Sequence, residues 1–226
     1  MLNTPWGPVA GGGETFLNLV RVCRAGMPMD KVVECVPNFS EGRDKAKIKH
    51  IADAIAAVEG AVLLDVDPGA DTNRTVVTLV GPPDAVAEAA FQGIRAASEV
   101  IDMAGHSGAH PRMGACDVCP FVPVRDVTMD ECVAIARRVG ERVGKELGIP
   151  VYLYEHAASS PQRKNLADIR AGEYEGLTEK LKDKAWKPDF GPVTFNARSG
   201  ATVIGARAFL IAYNVNLNTT NAKLAR

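Results

Sequence analysis

Apolar and polar positions alternate along this chain with a period that switches between two and about 3.6 residues, and each switch marks a predicted element. Three amphipathic stripes predict helices, which begin after Asp44, near Asp84 and after Thr128. Asp44 is a predicted N-cap, and Thr128 with Glu131 forms a predicted capping box. Short apolar runs bounded by glycine and proline predict strands at 32–36, 61–66, 75–80, 118–124 and 151–154.

The order of these elements is strand, helix, strand, strand, helix, strand, helix, strand. The first six match the split βαβ pattern, so we predict a mixed α/β (α+β) fold, a ferredoxin-like sandwich with one extra helix and strand in the same sheet. Its helices should cover one sheet face and leave the other face for a ligand. A further alternating run at 209–217 predicts the first strand of an incomplete second subdomain. We therefore expect a disordered extension at 1–28, a subdomain at 29–188, and a linker with that strand at 189–226.

Composition narrows the class of protein. The 226 residues are 46% hydrophobic and carry a formal net charge of −1, which allows a sizeable core but gives no basic surface for nucleic acid. We find no run of 18 apolar residues, so we predict no membrane span. The five cysteines are an odd number without an export signal before them. This pattern predicts free thiols and a cytoplasmic protein.

The segment 105–120, Gly-His-Ser-Gly-Ala-His-Pro-Arg-Met-Gly-Ala-Cys-Asp-Val-Cys-Pro, is the densest in reactive groups. Loops of this kind carry binding or catalytic residues on a rigid scaffold. His110 is a candidate general acid or base, and the alternative is a surface histidine that bonds its own turn. His106 fits the surface role better. A zinc site from His106, His110, Cys116 and Cys119 has suitable ligand types, but the two cysteines are spaced three apart on a predicted strand and would face opposite ways.

Other charged positions point toward a small polar ligand. Asp65 and Asp67 fall on one face near the end of the second predicted strand, where carboxylates are costly unless they bind something. Asn73 and Arg74 open the facing strand and complete that candidate site. Arg112 follows Pro111 in the reactive loop, and its guanidinium suits a carboxylate or phosphate, although a surface ion pair is an equal alternative.

Several motifs together resemble one family, the formiminotransferase domain of glutamate formiminotransferase, which is also the amino-terminal half of formiminotransferase-cyclodeaminase. The resemblance runs from about Met29 to Leu217, in order and with few gaps. The motifs are Val-Glu-Cys-Val-Pro-Asn-Phe-Ser-Glu-Gly at 33–42, Leu-Leu-Asp-Val-Asp at 63–67, Thr-Asn-Arg-Thr-Val at 72–76, His-Pro-Arg-Met-Gly-Ala at 110–115, Ile-Arg-Ala-Gly-Glu-Tyr at 169–174 and Phe-Leu-Ile-Ala-Tyr-Asn-Val-Asn-Leu at 209–217.

The resemblance implies transfer of a formimino group between N-formimino-L-glutamate and tetrahydrofolate in histidine degradation, with His110 as the acid–base residue. It implies tetrahydrofolate as co-substrate, no metal, and a homodimer for the full-length protein. It places Asp67 in the folate cleft and the folate-binding stretch at 191–200. The substrate-binding and folate-binding residues that we predict are Asn38, Asp67, Asn73, Arg112, Arg170, Gly191, Pro192, Val193, Thr194, Phe195, Asn196, Ala197, Arg198, Ser199 and Gly200.

The resemblance leaves two alternatives to a working transferase. The family domain has two similar halves with the folate cleft between them, and this sequence contains the first half and the opening of the second. A fragment that binds folate without turnover is therefore one alternative. A zinc-stabilised interaction module is the other.

Overall fold

The computed structural model describes residues 31–210, which form one seven-stranded sheet with helices. The strands are β1 Val32–Cys35, β2 Asn38–Phe39, β3 Val62–Gly69, β4 Arg74–Gly81, β5 Cys116–Arg125, β6 Val151–Glu155 and β7 Thr202–Ala206. The helices are α1 Lys45–Ala56, α2 Pro83–Val100, α3 Met129–Glu146, α4 Leu166–Arg170 and α5 Leu177–Lys180. Short 3₁₀ turns lie at Met103–Gly105, Pro161–Arg163 and Lys184–Trp186.

The three long helices begin where their sequences predict. The Asp44 side chain accepts hydrogen bonds from the backbone N–H groups of Ala46 and Lys47 at the start of α1. Thr128 and Glu131 form the reciprocal capping box of α3. The apolar stripes of all three helices pack on one face of the sheet and form the larger core.

The strand order confirms the split βαβ prediction. Strands β1 and β2 lie between β4 and β5, and β3 pairs with the outer side of β4, with every one of these pairs antiparallel. The sequence pattern predicts a turn at 38–42, but Asn38–Phe39 continues the line of β1 as β2 after the break at Pro37. The predicted turn at 67–71 likewise begins later, because β3 extends to Gly69.

Strand β7 is a second strand that the sequence pattern did not indicate. It lies parallel between β5 and β6, within the segment predicted to be a linker. The extra strand β6 therefore joins the same sheet as expected, but through β7 and not through β5. The predicted extension at 1–28 and most of the predicted strand 209–217 lie outside the described residues, and Phe209 and Leu210 are exposed without strand structure. The division of the chain at residue 188 stays a prediction.

The second face of the sheet is covered over only part of its width. Segment 161–186 packs on β5, β6 and β7 there and encloses a smaller core around Tyr152 and Ile169. A nearly buried ion pair, Arg163 Nη1 to Asp189 Oδ2 at 2.7 Å, ties this segment to the sheet. On β3 and β4 the same face presents half-buried or exposed side chains, including Asp65 and Asp67. In the described part of the chain we find no helix that is long and apolar enough to cross a membrane.

Candidate functional site

The reactive loop between α2 and β5 is held by close backbone packing. A Cβ added to Gly108 would come within 2.3 Å of the Thr72 carbonyl oxygen, and one added to Gly114 would come within 2.3 Å of the Ala201 carbonyl oxygen. Gly114 also bridges to Gly200. These glycines are required because the loop lies directly against the β3–β4 turn on one side and the start of β7 on the other.

His110 lies half-buried in the pocket among these elements, with its Nε2 atom 3.0 Å from Nη1 of Arg74. Its Nδ1 atom is buried and has no hydrogen-bond partner among residues 31–210. Burial, with the positive charges of Arg74 and Arg170, lowers the pKa of His110 below its ordinary value. The imidazole is therefore uncharged at neutral pH, which is the state that a general base requires.

His106 has both ring nitrogens occupied by the protein. Its Nδ1 accepts a hydrogen bond from Nε of Arg112 at 3.2 Å, and its Nε2 lies 2.9 Å from the carbonyl oxygen of Asn73, so Nε2 carries the proton. The ring links the reactive loop to the β3–β4 turn. The sequence context favours a surface histidine that bonds its own turn, whereas the half-buried ring bonds the β3–β4 turn and Arg112.

Arg112 is almost fully buried, and protein acceptors use all of its donor nitrogens. Its terminal nitrogens form a fork with Glu175 at 2.8 and 2.6 Å, and they also donate to Glu173 and to the His106 carbonyl. Because Nε donates to His106, no donor is left for a substrate carboxylate. The geometry therefore favours a positioning role for Arg112 over direct substrate contact.

Asp117 and Arg170 form a second buried pair beside His110. Asp117 is 1% exposed, accepts from the backbone N–H of Met113 at 2.9 Å, and is bound by Nε and Nη2 of Arg170. No described residue accepts a hydrogen bond from Nη1 of Arg170. Arg170 is therefore a predicted site residue that the structure brings to His110. Asp117 lies beside it but is not among the residues predicted from the sequence. The signal for Asp117 is a carboxylate inside the apolar run of β5.

Asn73 lines the same pocket, and Asn38 and Asp67 act on Arg74 beside it. The Asn38 side chain accepts from Nη1 of Arg74 at 2.7 Å. The Asn73 side chain accepts from the Gly42 N–H at 3.0 Å and donates to the Ser107 carbonyl at 2.9 Å, so it ties three loops together. Asp67 is exposed on the free part of the sheet face, on the same cross-strand row as Asn38, and its charge acts on Arg74.

The predicted folate-binding stretch 191–200 only partly adjoins the reactive loop. Its end pairs with the loop exit, where Ser199 O accepts from Ala115 N, and its middle reaches Tyr174, whose ring lies 5.3 Å from that of Phe195. Its start instead packs on the end of α3, where Gly191 contacts Gly144. Exposed and half-buried side chains here are available to a ligand, namely those of Pro192, Val193, Thr194, Phe195 and Ala197. The Asn196 side chain is used by the protein, because it donates to the Gly148 carbonyl and accepts from the Ser199 N–H. Arg198 is used by the protein, because it donates to the last carbonyls of α2.

The four residues of the zinc alternative do not converge. His106 and His110 line the polar pocket, whereas Cys116 and Cys119 both belong to the core beneath the helices. The prediction that the two cysteines face opposite ways is wrong, because a register shift at 116–118 breaks the alternation. Burial raises the pKa of the Cys116 thiol well above its ordinary value, which disfavours the thiolate that zinc binds. Within residues 31–210 no three His, Cys, Asp or Glu side chains are placed to hold a metal ion.

Two cavities meet at this loop. The pocket around His110 is lined by polar side chains and is too tight to admit a water molecule. A larger cavity of about 440 Å³ shares His106 and Arg112 with it and is bounded by Gly108, Glu173 and Glu175.

Comparison with known proteins identifies the relatives of this arrangement. Residues 32–207 match the family described as formiminotransferase domain, N-terminal subdomain. The formimidoyltransferase-cyclodeaminase of Dictyostelium discoideum is 57% identical over 198 residues, which are 88% of this chain and 37% of that protein.

Two shorter relatives are named glutamate formimidoyltransferase. The one from Thermoplasma acidophilum is 54% identical over 197 residues, 86% of this chain and 65% of that protein. The one from Streptococcus pyogenes serotype M1 is 50% identical over 197 residues, 87% of this chain and 66% of that protein. The chain therefore covers less than two thirds of each of these three relatives.

Proposed function

The chain belongs to the formiminotransferase domain family, and from this premise we propose that it takes part in moving a formimino group between N-formimino-L-glutamate and tetrahydrofolate, in histidine degradation. The observation that carries the proposal is the uncharged, half-buried imidazole of His110, placed among Arg74, Arg170 and Asp117. His110 is therefore a base beside positive charges. A transfer between amines needs the base, and the anionic substrates suit the positive charges.

The chemistry needs one proton to move twice. The N5 amine of tetrahydrofolate attacks the formimino carbon, a C–N bond forms, and a tetrahedral intermediate results. His110 takes the proton that the attacking nitrogen loses and gives it to the glutamate nitrogen as the old C–N bond breaks. A single imidazole with a pKa below neutrality performs both steps, and the positioning of two bound substrates supplies much of the remaining acceleration.

The charges of the pocket suit these substrates. Both carry carboxylates, and Arg170 presents an Nη1 group that no described residue uses, next to His110. Asp67 is exposed on the open part of the sheet face, and its carboxylate suits the N–H groups of a folate ring. We assign the folate contact of segment 191–200 to its exposed middle, around Val193 and Phe195, because Ser199 and Gly200 are buried in the sheet.

Replacing His110 by alanine tests the acid–base role. We expect kcat for formimino transfer to fall by about 10²- to 10⁴-fold, the usual contribution of a general acid–base residue. His50 is exposed on α1 and is the matched control, so His50→Ala should keep the starting rate. If His110→Ala keeps that rate as well, the assignment is wrong.

A second candidate function, kept from the sequence analysis, is folate binding without turnover. Calorimetry with a tetrahydrofolate analogue and a transfer assay on the same sample separate the two. Binding with measurable transfer supports the enzyme, and binding with no transfer supports the second candidate.

A further inference from the structure

Arg74 makes the direct contact with the proposed acid–base residue. It is the first residue of β4, and its Nη1 lies 2.7 Å from Oδ1 of Asn38 and 3.0 Å from Nε2 of His110. A guanidinium group only donates hydrogen bonds, so Nε2 of His110 must be the acceptor. The proton of the neutral ring is then on Nδ1.

Asn38 is itself fixed, so Arg74 has little freedom at this contact. The Nδ2 of Asn38 donates to the Val36 carbonyl at 3.0 Å, and Oδ1 therefore faces the guanidinium. A flipped amide would place an N–H group against the guanidinium and an oxygen against the Val36 carbonyl. A continuous line of hydrogen bonds runs from the backbone of Val36 through Asn38 and Arg74 to His110.

We propose that Arg74 is a positioning residue for His110, which holds the imidazole with Nε2 as acceptor and the proton on Nδ1, and that Asn38 in turn holds Arg74. This inference rests on the proposed acid–base role of His110. Nothing in the sequence motif around His110 requires it, because Arg74 lies on β4, 36 residues before the loop that carries His110.

The other charges near the ring modify this contact but do not replace it. Arg170 adds positive charge, and Asp117 opposes it from β5. Asp67 on β3 acts through Arg74, and His106 and Arg112 line the same pocket. Burial and the two arginines together lower the pKa of His110. Of the two, Arg74 is hydrogen-bonded to the ring, whereas the contacts of Arg170 are with Asp117.

The arrangement has a consequence for the proton transfers. When Nε2 receives a proton, an N–H of the imidazolium and an N–H of Arg74 point at each other, so Arg74 must withdraw. Arg74 therefore raises the free energy of the imidazolium and favours passing the proton on to the leaving nitrogen. An attacking amine that bonds to Nε2 takes the place of Arg74 at that atom. The Nε atom of Arg74, buried without a partner among the described residues, would then be free to meet an acceptor.

Nuclear magnetic resonance of the 226-residue chain tests the proposal without any activity measurement. The ¹⁵N shifts of the imidazole nitrogens report the tautomer, and a pH titration reports the midpoint of His110, assigned by its loss in His110→Gln. We expect the starting protein to carry the proton on Nδ1 and to titrate below about 6.5, the value of a solvated imidazole. Arg74→Met should mix the tautomers and shift the midpoint upward.

Two further variants separate positioning from charge. Arg74→Lys keeps the positive charge but loses the planar group that reaches Asn38 and His110 together, so we expect mixed tautomers with a midpoint below that of Arg74→Met. Asn38→Ala should loosen Arg74 and give the same mixture. Arg138→Met, at an exposed position on α3, is the matched control and should leave His110 unchanged.

An unchanged tautomer and midpoint in Arg74→Met would overturn the proposal. Circular dichroism shows whether that variant folds. If it does not, an unchanged tautomer and midpoint of His110 in both Arg74→Lys and Asn38→Ala would overturn the proposal. The proposed function fails independently, through retained transfer in His110→Ala. The two proposals can therefore fail separately. If the tautomer depends on Arg74 but His110→Ala keeps full activity, the positioning by Arg74 stands and the acid–base role of His110 is rejected.

Discussion

Asp117 offers the sharpest test of how the site is supported. Its carboxylate is 1% exposed and neutralises Arg170, whose side chain is 16% exposed, and it also accepts from the Met113 N–H three residues after His110. Removing one partner of a buried ion pair costs about 3–5 kcal/mol, because the other charge is left without compensation. An unsatisfied buried N–H alone costs about 1–3 kcal/mol. We expect Asp117→Ala to lose about 3–5 kcal/mol of unfolding free energy, toward the lower end because Arg170 is partly hydrated.

Asp117→Asn is the matched variant. It keeps an oxygen for the Met113 N–H but no longer neutralises Arg170, so we expect a loss of about 1–3 kcal/mol. Urea unfolding followed by circular dichroism measures both variants. The double variant with Arg170→Met should lose less than the sum of the two single changes, since each single change strands the other group. A loss below about 1 kcal/mol for Asp117→Ala, or additive effects in this cycle, would refute the reasoning.

Two further predictions follow from the loop. Gly108→Ala should destabilise the protein by about 1–3 kcal/mol and lower activity, because the new Cβ would lie 2.3 Å from the Thr72 carbonyl oxygen. In Gly105→Ala the new Cβ meets nothing within 4 Å, so this control should be neutral in the same thermal unfolding measurement. The lowered pKa of His110 means that the unfolded chain binds more protons than the native state just below pH 6.5. Stability should therefore fall as the pH drops from about 6.5 through the native pKa, and His110→Gln should flatten this part of a stability–pH curve. A curve that His110→Gln leaves unchanged would contradict the native pKa shift.

Local patterns predicted most of the fold. The caps of α1 and α3 and the apolar stripes of the three long helices depend on residues three or four apart, so they can be seen in the sequence alone. The alternation of Asp65 and Asp67 about Val66 likewise placed both carboxylates on the free face of β3. These features are decided within one element.

The missed features depend on contacts between distant segments. Strand β7 pairs only with β5 and β6, about 50 to 85 residues earlier, and nothing in Thr-Val-Ile-Gly-Ala specifies those partners. Asp117 lies where the register between β2 and β5 shifts by one residue, and this bulge breaks the alternation from which its direction would be inferred. The acceptors of Arg112, Glu173 and Glu175, are 61 and 63 residues away, which is why a substrate contact and an internal one are equally compatible with the sequence.

The position of the site follows from how far each face of the sheet is covered. The three long helices cover one face, and segment 161–186 covers the other over β5, β6 and β7 but leaves β3 and β4 open. Charged side chains such as Asp67 can remain on a sheet face only where water or a ligand solvates them. His110 lies at the boundary, where the Tyr174 N–H bonds to the Arg112 carbonyl and the cover ends. A fully exposed imidazole would keep its ordinary pKa, and a fully buried one would not meet a substrate. At this half-buried boundary the His110 imidazole is uncharged at neutral pH and remains partly exposed.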